Sequence, residues 1–106
     1  MKLREKTWSE VTGMNETFVV VPIGSIEQHG PHLPLETDTL IAEAVAGKIA
    51  EEIDAVVAPT ITPGLSPEHL DFPGTLSLKE ETFVALIEDY VSSLAKHNFE
   101  KIILVN

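Results

Sequence analysis

The sequence predicts an α/β protein with a three-layer α/β/α architecture and a mostly parallel sheet, of which this chain supplies a β-α-β-α-β portion. Three short runs, TFVVVPI, AVVAPTI and KIILVN, are predicted to be strands, and the first of them is rich in β-branched residues and free of charge, as is typical of a strand buried on both faces of a parallel sheet. Two longer segments between these runs repeat apolar residues at helical spacing. Because strands and helices alternate over short connections, right-handed crossovers between parallel strands are expected.

Composition indicates one domain over residues 1–106 and limits the class of partner. Of the 106 residues 43% are apolar, which is enough to form a core. Seven Lys+Arg against 17 Asp+Glu give a formal charge of −10, which disfavours nucleic acid and anionic membranes as partners. The absence of cysteine excludes disulfides and thiolate zinc sites. With neither a signal-peptide h-region nor an apolar run of about 18 residues, a soluble cytoplasmic protein is predicted.

The first elements are a short helix and a buried strand. The TWSE pattern at residues 7–10 is a capping box, which predicts a helix that ends near Gly13. Three apolar side chains of this segment are expected to be buried anchors: Leu3, Trp8 and Val11. Residues 17–23 predict the first strand, in which Pro22 is tolerated only near the end.

A second helix is predicted over residues 39–53, with Asp38 at or beside its N-cap. Its buried face is predicted to carry apolar residues spaced by four: Ile41, Val45, Ile49 and Ile53. Leu40 is also expected in the core. The second strand is predicted over residues 55–61.

The third helix follows a loop rich in turn formers at residues 62–75 and is predicted to open with a capping box at residues 77–80. Its apolar stripe is expected to comprise Phe83, Ile87, Val91 and Leu94, with Val84 and Tyr90 beside them. Its last turn and C-cap are expected at Lys96, His97 and Asn98. Residues 101–106 predict the third strand. A buried parallel strand normally feeds a further loop, so an end at Asn106 predicts that the domain is truncated after this strand.

The loop between the first strand and the second helix carries the residues that suggest chemistry. Ligands of open parallel sheets bind beyond the carboxyl ends of the strands, where this loop begins. Glu27 and His29 are two residues apart, so their side chains point to the same side of an extended backbone, and Asp38 lies at the following helix start. Two carboxylates and an imidazole form a partial shell for Zn²⁺, Mn²⁺ or Fe²⁺. Glu27, His29 and Asp38 are therefore the predicted metal ligands.

Each of these residues also has a purely structural interpretation. Glu27 could be a solvated carboxylate, His29 a hydrogen-bonded structural histidine, and Asp38 a helix N-cap that stabilises the fold by about 1 kcal/mol. His32 is interpreted as a structural residue or as support for a ligand. His97, at a helix C-terminus, suits a capping role in which its charged form complements the helix dipole.

The second loop, after the strand at residues 55–61, emerges at the same sheet edge. It contains Glu68 and His69, which are candidates for the lining of a cleft. The alternative is a plain turn with solvated charges.

Three motifs together resemble a known family. The runs PIGSIEQHGPHLPLETD at 22–38, GLSPEHLDFPGTLSL at 64–78 and IILVN at 102–106 closely resemble the N-terminal half of the creatininase family of metal-dependent amidohydrolases. That family also includes a formamide hydrolase of flavin and deazaflavin biosynthesis and a peptidase of redox-cofactor maturation.

The resemblance implies an α/β/α fold and two divalent metal ions, which would be Zn, Mn or Fe. Matched by motif, Glu27 would bind one metal, His29 the other, and Asp38 would bridge both. A hydroxide between the metals would then attack a small-molecule amide, cyclic amide or formamide and split its C–N bond. Family members are commonly homo-oligomers, often hexamers.

The resemblance also implies that Asn106 begins an Asn-Gly-His motif whose histidine is a metal ligand, and that the remaining ligand and the proton-transfer residues lie further on. No catalytic residue is therefore assigned within this half, and creatinine, a formamidopyrimidine and other amides stay open as substrates, although the acidic surface disfavours a phosphorylated one. The alternative to a hydrolase is a catalytically incomplete fragment that acts only as a folding or self-association module through an exposed sheet edge.

Overall fold

The structure, a computed structural model, describes residues 1–14 and 18–106, and its centre is a sheet of three parallel strands. These are β1 (Phe18–Pro22), β2 (Val56–Val57) and β3 (Lys101–Val105), in the order β2-β1-β3. The helices of the described residues are α1 (Trp8–Thr12), α2 (Thr37–Ile53) and α3 (Glu80–Lys96), with short 3-10 turns at Leu3–Glu5 and Pro67–His69. None of the helices in these two ranges is both long and apolar enough to cross a bilayer.

Strand β1 forms the core because it lies between the other two strands and has a helix on each face. Val19, Val20 and Val21 are each 0% exposed. Successive side chains of a strand point to opposite faces. Val19 and Val21 therefore join the cluster of Leu94 on α3, whereas Val20 packs with alanines of α2. The predicted three-layer arrangement around a parallel sheet is confirmed.

The amino-terminal predictions hold except for one anchor. The capping box is present, since Thr7 accepts from the backbone of Glu10 and Glu10 accepts from that of Thr7. Pro22 is the last residue of β1, while the predicted start of that strand, Thr17, lies outside the described residues. The prediction that Trp8 is buried is wrong, because its side chain is 83% exposed. The Trp8 side chain lines an open groove on the surface. Leu3 and Val11, by contrast, pack against the core.

Helix α2 buries a different face from the predicted one. The helix begins two residues earlier, at Thr37, with Glu36 as N-cap, so Asp38 lies in the first turn. Its buried residues are Thr39, Ala42, Ala46 and Ala50. The predicted core residues Leu40, Ile41, Val45 and Ile53 are between 39% and 56% exposed, and only Ile49 packs at the edge of the core. Alanine side chains let the helix axis lie close to the sheet, which turns the larger side chains outward.

The second half of the chain contains two further corrections. The second strand, predicted over residues 55–61, comprises only Val56–Val57, because Pro59 has no amide hydrogen to continue the pairing, and Ile61 forms only an isolated bridge with Ile23. The predicted capping box at residues 77–80 is wrong, because Lys79 is the N-cap of α3 and makes no side-chain cap bond. The Ser77 hydroxyl instead accepts from the amide of Ser66 at 2.8 Å and so joins two loops. Three residues of the predicted α3 stripe, Phe83, Ile87 and Leu94, face the core, as does Tyr90 beside them. Val91, predicted in the stripe, is outside this core cluster, and Val84 is 47% exposed. His97 is the exposed C-cap.

Candidate metal centre

Two loops meet at the carboxyl edge of the sheet. The amide of Gly24, after β1, donates to the carbonyl of Ile61 at 2.9 Å, and the amide of Leu76 donates to the carbonyl of Ile26 at 2.9 Å. The start of α2 is fastened to the first loop by Thr39, whose hydroxyl accepts from the Ser25 amide at 3.1 Å and donates to the Ser25 carbonyl at 2.9 Å. These bonds hold the functional side chains on a fixed backbone.

The Ser25 hydroxyl lies between two carboxylates. Its Oγ is 2.8 Å from Oε1 of Glu27 and 3.0 Å from Oδ2 of Asp38. A hydroxyl has a single proton, so it cannot satisfy two ionised carboxylates fully. Burial raises the pKa of Asp38, but hydrogen bonding with Glu27 and Ser25 and the electrostatic effect of the nearby His29 and His69 outweigh it, so the pKa lies below its usual value.

Two histidines reach these carboxylates from opposite loops. Nε2 of His29 lies 3.4 Å from Oδ1 of Asp38, and Nε2 of His69 lies 3.1 Å from Oε2 of Glu27. Glu68 lies further out, with Oε1 at 3.8 Å from the same His69 nitrogen and 66% of its side chain exposed. His69 and Glu27 are far apart in the sequence, so their pairing could not be predicted from it. The two residues come together because the two loops meet.

The predicted ligands lie in one cluster, although not all of them touch. Asp38 is linked to Glu27 through Ser25 and to His29 directly, while no contact joins Glu27 to His29. A second, overlapping group consists of Glu27, Glu68 and His69, whose potential ligand atoms all lie within 4.8 Å of one another. Glu27 belongs to both groups and is therefore the central carboxylate of the site.

The donor set fits a divalent cation. Carboxylate oxygens and imidazole nitrogens are suitable ligands for zinc, manganese and iron. Two carboxylates sharing one hydroxyl proton leave an excess of negative charge that a cation would balance. In addition, Nδ1 of His29 is buried and has no hydrogen-bond partner among residues 1–14 and 18–106. An unpaired buried nitrogen is costly unless another ligand satisfies it.

A cleft of about 470 Å³ opens beside the carboxylates, within the range of small-ligand sites. Its walls include Glu27 and Asp38, the exposed side chains Ile41 and Val45 of α2, and Asn106 at the end of β3. The apolar face that α2 turns away from the core therefore forms part of a pocket.

Two polar residues of the site, Ser25 and Gln28, were not predicted from the sequence. Ser25 precedes Glu27 by two positions, so the same alternation that paired Glu27 with His29 also places Ser25 on that side. Gln28 has no such signal, since its partner is His69, 41 residues away, at 3.1 Å. His32 is exposed near Gly30 and lies outside the carboxylate cluster.

The sequence of this chain is similar to those of known proteins. A family model described as "Creatininase: Creatinine amidohydrolase" matches residues 4–106. The chain is 49% identical over 95 residues to a mycofactocin precursor peptide peptidase of Mycolicibacterium smegmatis, covering 84% of this chain and 38% of that protein. It is 32% identical over 110 residues to a creatinine amidohydrolase of Pseudomonas putida, covering 96% of this chain and 42% of that protein. The chain thus spans less than half the length of these relatives.

Solved structures show the same fold. A structure described as "Creatininase Mn" superposes with a TM-score of 0.87, covering 96% of this chain and 43% of the other, at 32% identity. A mutant creatininase of "Zn-Zn type" has a TM-score of 0.88 with the same identity and the same coverage. Both descriptions name divalent metals.

Proposed function

Since this chain belongs to the creatininase family, we propose that it forms the metal-binding part of a hydrolase that cleaves a C–N bond of an amide. The observation that carries the proposal is the convergence of Glu27 and Asp38 on one hydroxyl, with an imidazole beside each carboxylate. The proposed metal ligands are Glu27, His29 and Asp38. They are supported by the donor chemistry and by the unpaired buried nitrogen of His29.

Divalent metals in such a site supply Lewis acidity toward a carbonyl and activation of water. The chain's own residues contribute position and charge. Ser25 holds the two carboxylates at a common point, and Thr39 fixes the backbone of Ser25 to the first turn of α2. The cleft beside Asp38 is partly apolar, through Ile41 and Val45, and can take up the uncharged part of a substrate.

The substrate class we propose first is a peptide amide. This order rests on the 49% identity with a protein described as a peptide peptidase, compared with 32% for one described as a creatinine amidohydrolase. A cyclic amide such as creatinine is the second candidate, since it presents the same C–N bond to the site.

Metal binding is the direct test. The purified chain is titrated with Zn²⁺ and Mn²⁺ by calorimetry, as are the variants Glu27→Gln and Asp38→Asn. Each of these two variants keeps the shape of the side chain and removes its charge, so the affinity for the metal should fall by more than about 100-fold. Loss of a residue that only supports a ligand lowers metal affinity by about 10–100-fold, so the larger fall identifies a ligand. The matched control is Glu36→Gln, because Glu36 is exposed and makes no side-chain cap bond. Equal affinity in all four proteins would contradict the proposal.

Turnover is measured separately, with Zn²⁺- and Mn²⁺-loaded protein and three substrates: a short peptide, creatinine and a formamidopyrimidine. We expect the peptide to be cleaved faster than creatinine. Faster cleavage of creatinine would overturn the order of substrates while leaving the metal site intact.

A further inference from the structure

The orientation of the Gln28 side chain is determined by its own loop. The amide of Gly30 donates to Oε1 of Gln28 at 3.0 Å. The oxygen of this side-chain amide therefore faces Gly30, and its nitrogen, Nε2, faces His69 at 3.1 Å from Nδ1. Because an amide nitrogen only donates, Nδ1 of His69 must be the acceptor of this bond.

This bond determines the tautomer of His69. A neutral imidazole carries one proton, and when Nδ1 accepts a hydrogen bond the proton resides on Nε2. That nitrogen lies 3.1 Å from Oε2 of Glu27, within hydrogen-bond distance, but 3.8 Å from Oε1 of Glu68, beyond it. The chain of bonds thus runs from Gly30 through Gln28 and His69 to Glu27.

Both oxygens of Glu27 are consequently held. Ser25 donates to Oε1 at 2.8 Å from the first loop, and His69 reaches Oε2 from the second loop. A carboxylate has about four lone-pair sites, so two hydrogen bonds leave sites free for a metal. The side chain of Glu27 is only 14% exposed, which makes its orientation depend on these two partners.

We propose that His69 is a positioning residue which, as the Nε2–H tautomer selected by Gln28, orients the Glu27 carboxylate toward the metal. His69 is not itself a ligand, because both of its nitrogens are engaged in hydrogen bonds. Glu68, largely exposed and too far from His69 for a hydrogen bond, has no part in this role. The role toward the metal rests on the proposed function, whereas the hydrogen-bond chain rests on this structure alone.

The tautomer is tested on the metal-free chain by long-range ¹H–¹⁵N correlation of the histidine side chains, assigned through His69→Gln and His97→Gln. We expect the His69 proton on Nε2, with Nδ1 bare, and a change in this pattern in Gln28→Leu. A proton on Nδ1 in the unmodified chain would overturn the inference. Repeating the spectrum with Zn²⁺ should leave the Nε2 proton in place, and its loss would make His69 a ligand.

The positioning role is tested by two substitutions and Zn²⁺ affinity. Glutamine can present an amide N–H at about the reach of Nε2, so His69→Gln should keep affinity within about threefold, whereas His69→Leu should lose about 10–100-fold. A merely structural role, or a ligand role, would not be rescued by glutamine. Equal losses in both variants, or no loss in His69→Leu, would overturn the proposal.

Glu68→Gln is the control and should bind Zn²⁺ as the unmodified chain does. A loss in this control would favour the group of Glu27, Glu68 and His69 as the ligand set and overturn the positioning role. Circular dichroism checks that each variant folds. If the unmodified chain binds no Zn²⁺, the proposed metal site fails, and the tautomer spectrum still decides whether the hydrogen bonds exist.

Discussion

At the scale of single residues, the site depends on side chains that satisfy one another only in part. Ser25 offers one proton to two carboxylates, and His29 keeps a buried nitrogen without a partner among the described residues. Such incomplete pairing is costly in a domain whose only purpose is to fold. It is expected where a bound group completes the pairing.

Away from the site, Tyr90 shows how burial changes the titration of a side chain. Burial raises its pKa to about 12, and its hydroxyl donates to the carbonyl of Pro59. Because the folded pKa lies above the unfolded value of about 10, the neutral phenol contributes stability that is fully present below pH ~10 and is lost as pH rises through about 12.

Ultraviolet absorbance can follow this titration directly, because Tyr90 is the single tyrosine of the sequence. We expect a midpoint near 12 in the folded chain and near ~10 in urea. Tyr90→Phe should abolish the signal and flatten the fall in unfolding free energy over that pH interval. A midpoint near ~10 in the folded chain would contradict the assignment.

At the scale of elements, close approach rather than hydrophobicity decides how α2 meets the sheet and its loops. Alanines form the buried face of the helix, and at its first turn Thr39 lies against Gly24. A Cβ on Gly24 would lie 2.3 Å from the Thr39 hydroxyl and 2.6 Å from its Cα. Only glycine permits this contact, on which the hydrogen bonds between Ser25 and Thr39 depend.

A pair of glycine substitutions tests this point. Gly24→Ala should lower the unfolding free energy by about 1–3 kcal/mol, because the backbone must shift to relieve the clash. Gly47→Ala, within α2, meets nothing within 4 Å and should raise the unfolding free energy by about 0.5–1 kcal/mol through helix propensity. Urea unfolding measures both, and an equal effect of the two substitutions would contradict the packing argument.

At the scale of the whole molecule, the free edge of β3 is the main exposed feature of the sheet. Strand β1 pairs with β3 on one side, and no described residue forms a ladder with the other side. Leu104 on this strand is 45% exposed. Unpaired strand edges can template pairing with a strand of another chain.

Sedimentation velocity of the chain tests whether the edge acts in this way. We expect concentration-dependent association, weakened by Leu104→Lys because a charge on an edge strand opposes pairing. The matched control is Val84→Lys, which places the same charge on α3 at an equally exposed apolar position. A chain that stays monomeric, or equal effects of both variants, would contradict an associating edge.

The amino-acid sequence by itself determined the order of elements, the burial of the first strand and the sheet edge at which the polar cluster lies. These features follow from local patterns: β-branched runs, helical spacing of apolar residues, and polar residues placed directly after a strand. For the same reason, the sequence also predicted that Glu27 and Asp38 lie together at that edge.

Only the tertiary structure decided which face of α2 is buried and which residues support Glu27. Periodicity favoured the isoleucines and valines of α2, but contact distance selected the alanines, since a helix lies closest to a sheet through its smallest side chains. The bonds from Gln28 to His69 and from His69 to Glu27 join loops about forty residues apart. No local pattern encodes such a pairing, because it exists only once both strands have taken their places in the sheet.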